Sequence, residues 1–288
     1  MLDLHDWAGI PGTTERGPSW ALVQGDCIEA LDRLDPGSVD LVFADPPYHL
    51  SNGGTTCHGG RRASVDKGSW DRSGGVAQDH AFQARWLAAC RRVLKPSGTI
   101  WVSGTQHVIF SVGYAMQELG FHLLNTVTWY KPNAAPNLAC RFFTHSTEIL
   151  LWASPARVRP LPHRFNYRSM KSANGGKQMR DLWSITERPE PGGEQVVWAL
   201  PTPAAREKLH GRHPTQKPLS LLERVVAASA APGDLVVDPF CGSGTTGVAA
   251  VRAGCRFLGI ERAPEDVELA ARRLRAHAGA EELAAHPA

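Results

Sequence analysis

Apolar positions along this chain follow two alternating rhythms. Short runs such as WALVQ (20–24), VDLVFA (39–44), TIWV (99–102), LLNTVTWY (123–130), EILLW (148–152), LVV (235–237) and RFLGI (256–260) have the length and composition of strands. Between them lie stretches with helical spacing over 27–34, 79–94, 108–119, 219–231, 245–253 and 264–278. In the stretch 79–94 the apolar face is Phe82, Trp86, Leu87, Cys90, Val93 and Leu94, and Lys95-Pro96-Ser97-Gly98 stops it. The tail GAEELAAHPA reads as frayed. Strands alternating with helices predict an α/β fold with a doubly wound, mostly parallel sheet, whose ligands sit at the carboxyl ends of the strands.

Two segments break the alternation. Residues 51–78 are rich in Gly and Ser, with Asn52-Gly53-Gly54 and Gly59-Gly60, and read as a long mobile loop of the kind that forms lids. From 155 to 212 prolines and basic residues dominate, and Asn174-Gly175-Gly176-Lys177 and Pro191-Gly192-Gly193 read as turns. We read this as an inserted lobe that separates one half of the domain, 20–154, from the other, 213–280.

With 42% hydrophobic residues in 288, the chain can bury a sizeable core. No apolar run reaches the roughly 18 residues of a membrane span, and MLDLHDWAGIPG has no features of a secretory signal. The cysteines at 27, 57, 90, 140, 241 and 255 form no C-x-x-C pair, and Cys57-His58 offers only two neighbouring ligands. We therefore expect no disulfide framework, no metal and a reduced, cytoplasmic setting. Net charge is only +3, yet residues 141–212 hold twelve Lys or Arg against six Asp or Glu. That excess fits either a solvated surface or a phosphate-binding face.

Two loops carry candidate chemistry, and each directly follows a predicted strand. The first is Asp45-Pro46-Pro47-Tyr48; the second is Asp238-Pro239-Phe240-Cys241-Gly242-Ser243-Gly244-Thr245-Thr246-Gly247. The second contains G-x-G-x-x-G between a strand and a helix, with Glu261 ending the next strand to grip ribose hydroxyls. This pattern serves NAD and S-adenosylmethionine equally. Only 41 residues follow Gly247, too few to complete a nicotinamide domain. Asp238 before the loop would repel a pyrophosphate and attract a cationic methionine moiety. The loop therefore favours S-adenosylmethionine.

Together the two loops resemble those of the amino-methylating DNA methyltransferases. Their order, with His213-Pro214-Thr215-Gln216-Lys217-Pro218 ahead of the cofactor loop, is similar to the circularly permuted beta class. The continuation HLSNGG and Val65-Asp66-Lys67-Gly68-Ser69-Trp70-Asp71 most resemble site-specific adenine methyltransferases of restriction-modification systems. The resemblance covers about residues 20–275 and implies a Rossmann-like fold, S-adenosylmethionine as cofactor and DNA as substrate. A companion restriction endonuclease and a homodimer are implied too.

On this resemblance Asp45 and the Pro46 carbonyl accept hydrogens from the target amino group, the prolines hold that carbonyl rigidly, and Tyr48 stacks on a base flipped out of the duplex. Asp26 accepts from the cofactor adenine, although an N-cap role for the following helix is equally compatible. Thr215, Gln216 and Lys217 suit the cofactor carboxylate at a helix start, and Asp238, Phe240, Cys241, Gly242, Ser243, Gly244, Thr245 and Glu261 complete its site. Arg164, Tyr167, Arg168, Lys171, Lys177 and Arg180 of the insert are candidates for DNA, with Lys67, Trp70 and Arg72 closing over the flipped base.

No Pro-Cys dipeptide is present, which argues against methylation at cytosine C5. Adenine N6 is the expected target, because cytosine-N4 enzymes more often carry Ser at the position of Asp45. N4-cytosine methylation, a catalytically silent DNA-binding regulator and an NAD oxidoreductase are the rival readings.

Overall fold

The computed structural model describes residues 12–48, 51, 55–58, 61–64, 71–131, 134, 136–138, 140–183, 203, 207, 209–211 and 213–285. In chain order the elements are β1 (Thr13–Arg16), β2 (Trp20–Gln24), α1 (Cys27–Asp32), β3 (Val39–Ala44), β4 (Thr55–His58) and β5 (Arg61–Ser64). Next come α2 (Val76–Val93), β6 (Leu94–Gly104), α3 (Ile109–Glu118), β7 (His122–Tyr130), β8 (Thr147–Ser154), α4 (Tyr167–Ala173) and β9 (Leu182–Trp183). The last group is α5 (Leu219–Ser229), β10 (Leu235–Asp238), α6 (Thr245–Arg252), β11 (Arg256–Glu261) and α7 (Pro264–Ala285).

Nine strands form one sheet in the order β1-β2-β11-β10-β3-β6-β8-β7-β9. β2, β11, β10, β3 and β6 run parallel, β8 runs against them, and β1 pairs antiparallel at the edge. The late strands β10 and β11 insert between the early strands β2 and β3. This is the permuted order expected from the motifs. It brings the end of β3, where Asp45 begins, beside the end of β10, where Asp238 stands.

Alternation along the strands explains why both faces are covered. Ala21, Val23, Val42, Ala44, Ile100, Val102, Val237, Leu258 and Ile260 point to one face and pack on Leu31, Trp86, Leu87, Cys90, Val112 and Met116 of α1 to α3. Their neighbours Trp20, Leu22, Leu41, Phe43, Trp101, Val236 and Phe257 point the other way, onto Leu222, Val225, Val248, Ala270 and Leu274 of α5 to α7. A sheet buried on both sides needs near-continuous apolar strands, which is the pattern seen in the sequence. No helix among the described residues is long and apolar enough to cross a membrane.

Four expectations need correction. The 51–78 stretch contains the antiparallel ribbon β4–β5, whose ladder is backbone-made and leaves no apolar period. α2 begins at Val76 rather than 79; Val76 is 88% exposed, so its first turn carries no apolar signal. α7 continues to Ala285, through most of the stretch read as a frayed tail. Residues 155–183 do not stand apart as a lobe: Asn166 donates to the carbonyls of Ala227 and Ala230 at 2.8 and 2.7 Å, and β9 extends the sheet beside β7.

Candidate active site

At the carboxyl end of the sheet, β2, β3, β10 and β11 surround a cavity of about 650 Å³. Both sequence loops reach it. Asp26, Asp45, Pro46, Pro47, Tyr48, Thr215, Gln216, Lys217, Asp238, Phe240, Cys241, Gly242, Ser243, Thr245 and Glu261 all line it. Gly244 does not. Its φ is +75°, and a Cβ there would stand 2.9 Å from the Cβ of Ala270, so this glycine serves the turn and the seating of α6 on α7. Gly247 is likewise structural, since a Cβ there would meet the Phe257 ring at 2.5 Å.

Asp238 is buried at the end of β10. It accepts from the Thr246 hydroxyl at 2.6 Å and the Phe240 N–H at 3.0 Å. Burial nonetheless pushes its carboxyl up to about 7, and Asp45 and Glu261 add to the rise. Glu261 is clamped by backbone: one oxygen accepts from Gly242 N–H at 2.9 Å, the other from Arg262 and Ala263 N–H. Asp26 is the N-cap of α1, accepting from Ile28 N–H at 2.9 Å, and still faces the cavity. Phe240 packs edge-on against Trp86 with 5.3 Å between ring centroids. The Cys241 thiol is pushed well up by burial, which leaves it inert.

S-adenosylmethionine fits this wall. It offers a cation, two ribose hydroxyls and an adenine amino group to a cavity whose acceptors are Asp238, Glu261 and Asp26. Gln216 adds another: its Nε2 is held by the Glu207 carbonyl at 3.0 Å, while its Oε1 is buried with no hydrogen-bond partner among the described residues.

Lys217 departs from expectation. The resemblance puts it at the cofactor carboxylate, whereas its ammonium lies 2.5 Å from Asp45 Oδ2, 3.1 Å from the Tyr48 hydroxyl and 3.5 Å from Glu148 Oε2. The cause is electrostatic. A lysine only 8% exposed needs counterions, and two carboxylates stand within reach. Burial would lower the Lys217 pKa, but Asp45 and Glu148 outweigh it and raise it. Tyr48 donates to Asp45 Oδ1 at 2.5 Å and lies 3.1 Å from Ser103 Oγ; burial and the two carboxylates keep it a neutral phenol.

Sequence reasoning missed Glu148. It is the second residue of β8, accepts from Lys131 at 2.7 Å, and Lys217 and Lys131 together overcome its burial to hold its carboxyl at about 2. It also missed Arg273 of α7, which is buried and holds the glycine loop from behind. Its Nη1 donates to the Ser243 carbonyl at 2.5 Å and to the Ser243 and Thr245 hydroxyls at 2.9 Å. Asp71, fully buried, lines the cavity and accepts from Ser51 Oγ at 2.9 Å.

The DNA candidates scatter. Arg72 follows Asp71 on the exposed rim, and Lys67 and Trp70 lie outside the described residues. Arg164 pairs with Asp234 at 3.3 Å, ahead of β10 and so at the opposite end of the sheet. Tyr167, Arg168 and Lys171 sit on α4, which Asn166 ties to the far end of α5. Lys177 and Arg180 are exposed along the edge leading up to β9. Arg164 and the start of α4 thus lie at the end of the sheet away from the cavity.

The comparisons agree with this geometry. The N6/N4 DNA methylase family model matches residues 39–272. The Type II methyltransferase M2.DpnII of Streptococcus pneumoniae is 48% identical over 257 residues, covering 88% of this chain and 89% of its own. M2.MboI of Moraxella bovis is 44% identical over 252 residues, covering 88% and 86%. Among solved structures, the cytosine-N4-specific PvuII DNA methyltransferase aligns with a TM-score of 0.65 and 20% identity over 92% of each chain. The complex of M1.HpyAVI with S-adenosylmethionine aligns at 0.56 and 23% identity, over 88% of this chain and 98% of that one. The chain belongs to the N6/N4 DNA methylase family and is an S-adenosylmethionine-dependent DNA methyltransferase.

Proposed function

We propose that this enzyme methylates the exocyclic N6 of adenine within a short DNA sequence, as the modification half of a restriction-modification system. The observation that carries the proposal is Asp45: a carboxylate, not a hydroxyl, closes β3 and shares the cavity with the Asp238 loop one strand away. N4-cytosine methylation is the second reading. The likeness to the cytosine-N4-specific PvuII enzyme speaks for the fold alone, and the carboxylate of Asp45 supports the adenine reading.

An exocyclic amino nitrogen is a poor nucleophile because its lone pair is conjugated with the ring. Asp45 and the Pro46 carbonyl, as acceptors for its two hydrogens, favour a pyramidal nitrogen with a free lone pair. A carboxylate oxygen accepts more than one hydrogen bond, so Asp45 keeps capacity for the base while Lys217 and Tyr48 hold it in place. S-adenosylmethionine supplies, when bound, a methyl group on a cationic sulfur. As the new N–C bond forms, the nitrogen must shed one proton, and Asp45 is the acceptor within reach. Catalysis on this view is positioning and electrostatics with no covalent enzyme intermediate.

Target recognition is assigned to the stretch 155–212, with Lys177 and Arg180 on the exposed edge before β9 among its candidates. Its partners on this reading are DNA, a cognate endonuclease and a second copy of the chain. Digestion of DNA from an expressing host to nucleosides, with mass identification of the modified base, tests the central claim. N6-methyladenine is expected, and 4-methylcytosine would refute it.

A further inference from the structure

We propose that the β7–β8 connection enters the DNA duplex, with Phe142 and Phe143 forming an aromatic wedge that fills the place vacated by the flipped base. This rests on the base-flipping methyltransferase reading above and adds the element that makes flipping favourable.

Position comes first. β7 ends and β8 begins at the cavity end of the sheet, where Lys131 N–H donates to the Ser146 carbonyl at 2.7 Å. At the foot of the connection Glu148 lies 3.5 Å from Lys217, the ammonium that holds Asp45. β8 is two strands from β3, a lateral distance on the order of 10 Å.

The second observation is presentation. Phe143 is 95% exposed and Phe142 58%, side by side in a connection that holds them outward with its own hydrogen bonds. Asn137 Nδ2 donates to the Phe142 carbonyl at 2.6 Å, and the Phe142 ring lies 5.2 Å from that of His145. Adjacent exposed phenylalanines mark a surface made to be covered.

Charge selects what covers it. Residues 131–146 include Lys131 and Arg141 and contain no Asp or Glu. Lys131 is paired with Glu148, which leaves Arg141 as the exposed cation of the stretch. Flat apolar faces beside it match a polyanion with π-faces, and inserted apolar side chains are a known means of unstacking a duplex. Arg164 and the start of α4 lie at the other end of the sheet, which leaves the catalytic end to other DNA-contacting elements.

The test compares two duplexes carrying the chain's own methylated sequence, identified from the marks in an expressing host. In one the target adenine is paired, and in the other it is mispaired and so easier to extrude. For the doubly substituted Phe142→Ala/Phe143→Ala enzyme, kcat/KM on the paired duplex should fall about tenfold or more, the factor that one lost base–aromatic stack represents. On the mispaired duplex the loss should largely disappear. The fluorescence rise of 2-aminopurine at the target position should shrink in parallel. Phe143→Trp should keep near-normal activity, and S-adenosylmethionine affinity should not change. Equal losses on both duplexes, or no loss, would overturn the wedge while wild-type transfer leaves the methyltransferase reading intact. A change in sedimentation from dimer to monomer would also overturn it, assigning the aromatics to a second copy. Failure of the wild type to methylate either duplex would overturn both readings.

Discussion

Asp238 is expected to make cofactor binding pH-dependent, at a cost to the stability of the empty enzyme. Burial places its carboxyl at about 7 against an ordinary value of 3.8. That displacement corresponds to on the order of 4 kcal/mol. Because the folded-state pKa is raised, the folded protein keeps a proton that the unfolded chain has already released between about pH 4 and 7. The group's contribution to stability is therefore fully present below about pH 4 and lost as pH rises through 7. Asp238→Asn removes this titration. It also removes one acceptor from the pair that serves Thr246 and Phe240, costing about 1–2 kcal/mol. The empty variant should accordingly be more stable than wild type at pH 8, by on the order of 2 kcal/mol in a urea melt.

Affinity should move the other way. A unit cation within roughly 6 Å of an ionised Asp238 gains about 3 kcal/mol at an effective dielectric of 20, or about a hundredfold in Kd. At pH 6 only about a tenth of the carboxyl is ionised, so wild type should bind S-adenosylmethionine about tenfold more weakly there than at pH 8. Calorimetric titration at pH 6, 7 and 8 measures the slope, and uncharged methylthioadenosine is the control that should show none. Glu261 and His213 also line the cavity, so the comparison with Asp238→Asn identifies the titrating group. A flat wild-type profile, or a variant that keeps the wild-type slope, would refute the reasoning.

Other outcomes follow from the same geometry. Asp45→Ala should abolish methyl transfer and leave S-adenosylmethionine affinity within about threefold, whereas Asp238→Ala should lose both; calorimetry beside a labelled-methyl assay separates them. Lys217→Met should behave like Asp45→Ala and not like a cofactor-site variant, because its ammonium serves Asp45, and Lys217→Arg should recover part of the rate. Glu148, held at about 2 against 4.5, contributes stability that is present above about pH 4.5 and lost as pH falls toward 2. Glu148→Gln should cost on the order of 3 kcal/mol at pH 7 and flatten the acid limb of the denaturation profile. Replacing Arg164, Arg168 and Lys171 together should leave the salt dependence of DNA binding unchanged. A loss of about 0.9 in the log–log slope per residue would instead place DNA at the far end of the sheet.

What could be read in the chain and what could not divide along a physical line. The strands β2, β3, β6, β10 and β11 are buried on both faces, so their apolar runs stand out without any knowledge of neighbours. The permuted motif order has its counterpart in β11 lying beside β2, where Glu261 pairs with Gln24. Both special loops are local, too: strand, turn and glycine follow one another within about ten residues. The ionic core of the site is not local. Lys217 lies 172 positions from Asp45, and Arg273 thirty from Ser243. A lysine beside a helix start offers a charge but no direction, and nothing in HPTQKP tells whether that charge turns to a ligand or to a buried carboxylate. Glu148 had one legible signal, an acid opening the otherwise apolar run EILLW, since a charge at the mouth of a buried strand must find a partner. The basic residues near 164–168 show the converse. Charge density is visible in sequence, but the end of the sheet at which it emerges depends on where the chain has been carried, and here Asn166 anchors it to the foot of α5. Side chains that meet across a fold are therefore chosen by packing, and here packing turns Lys217, expected at the cofactor, toward Asp45.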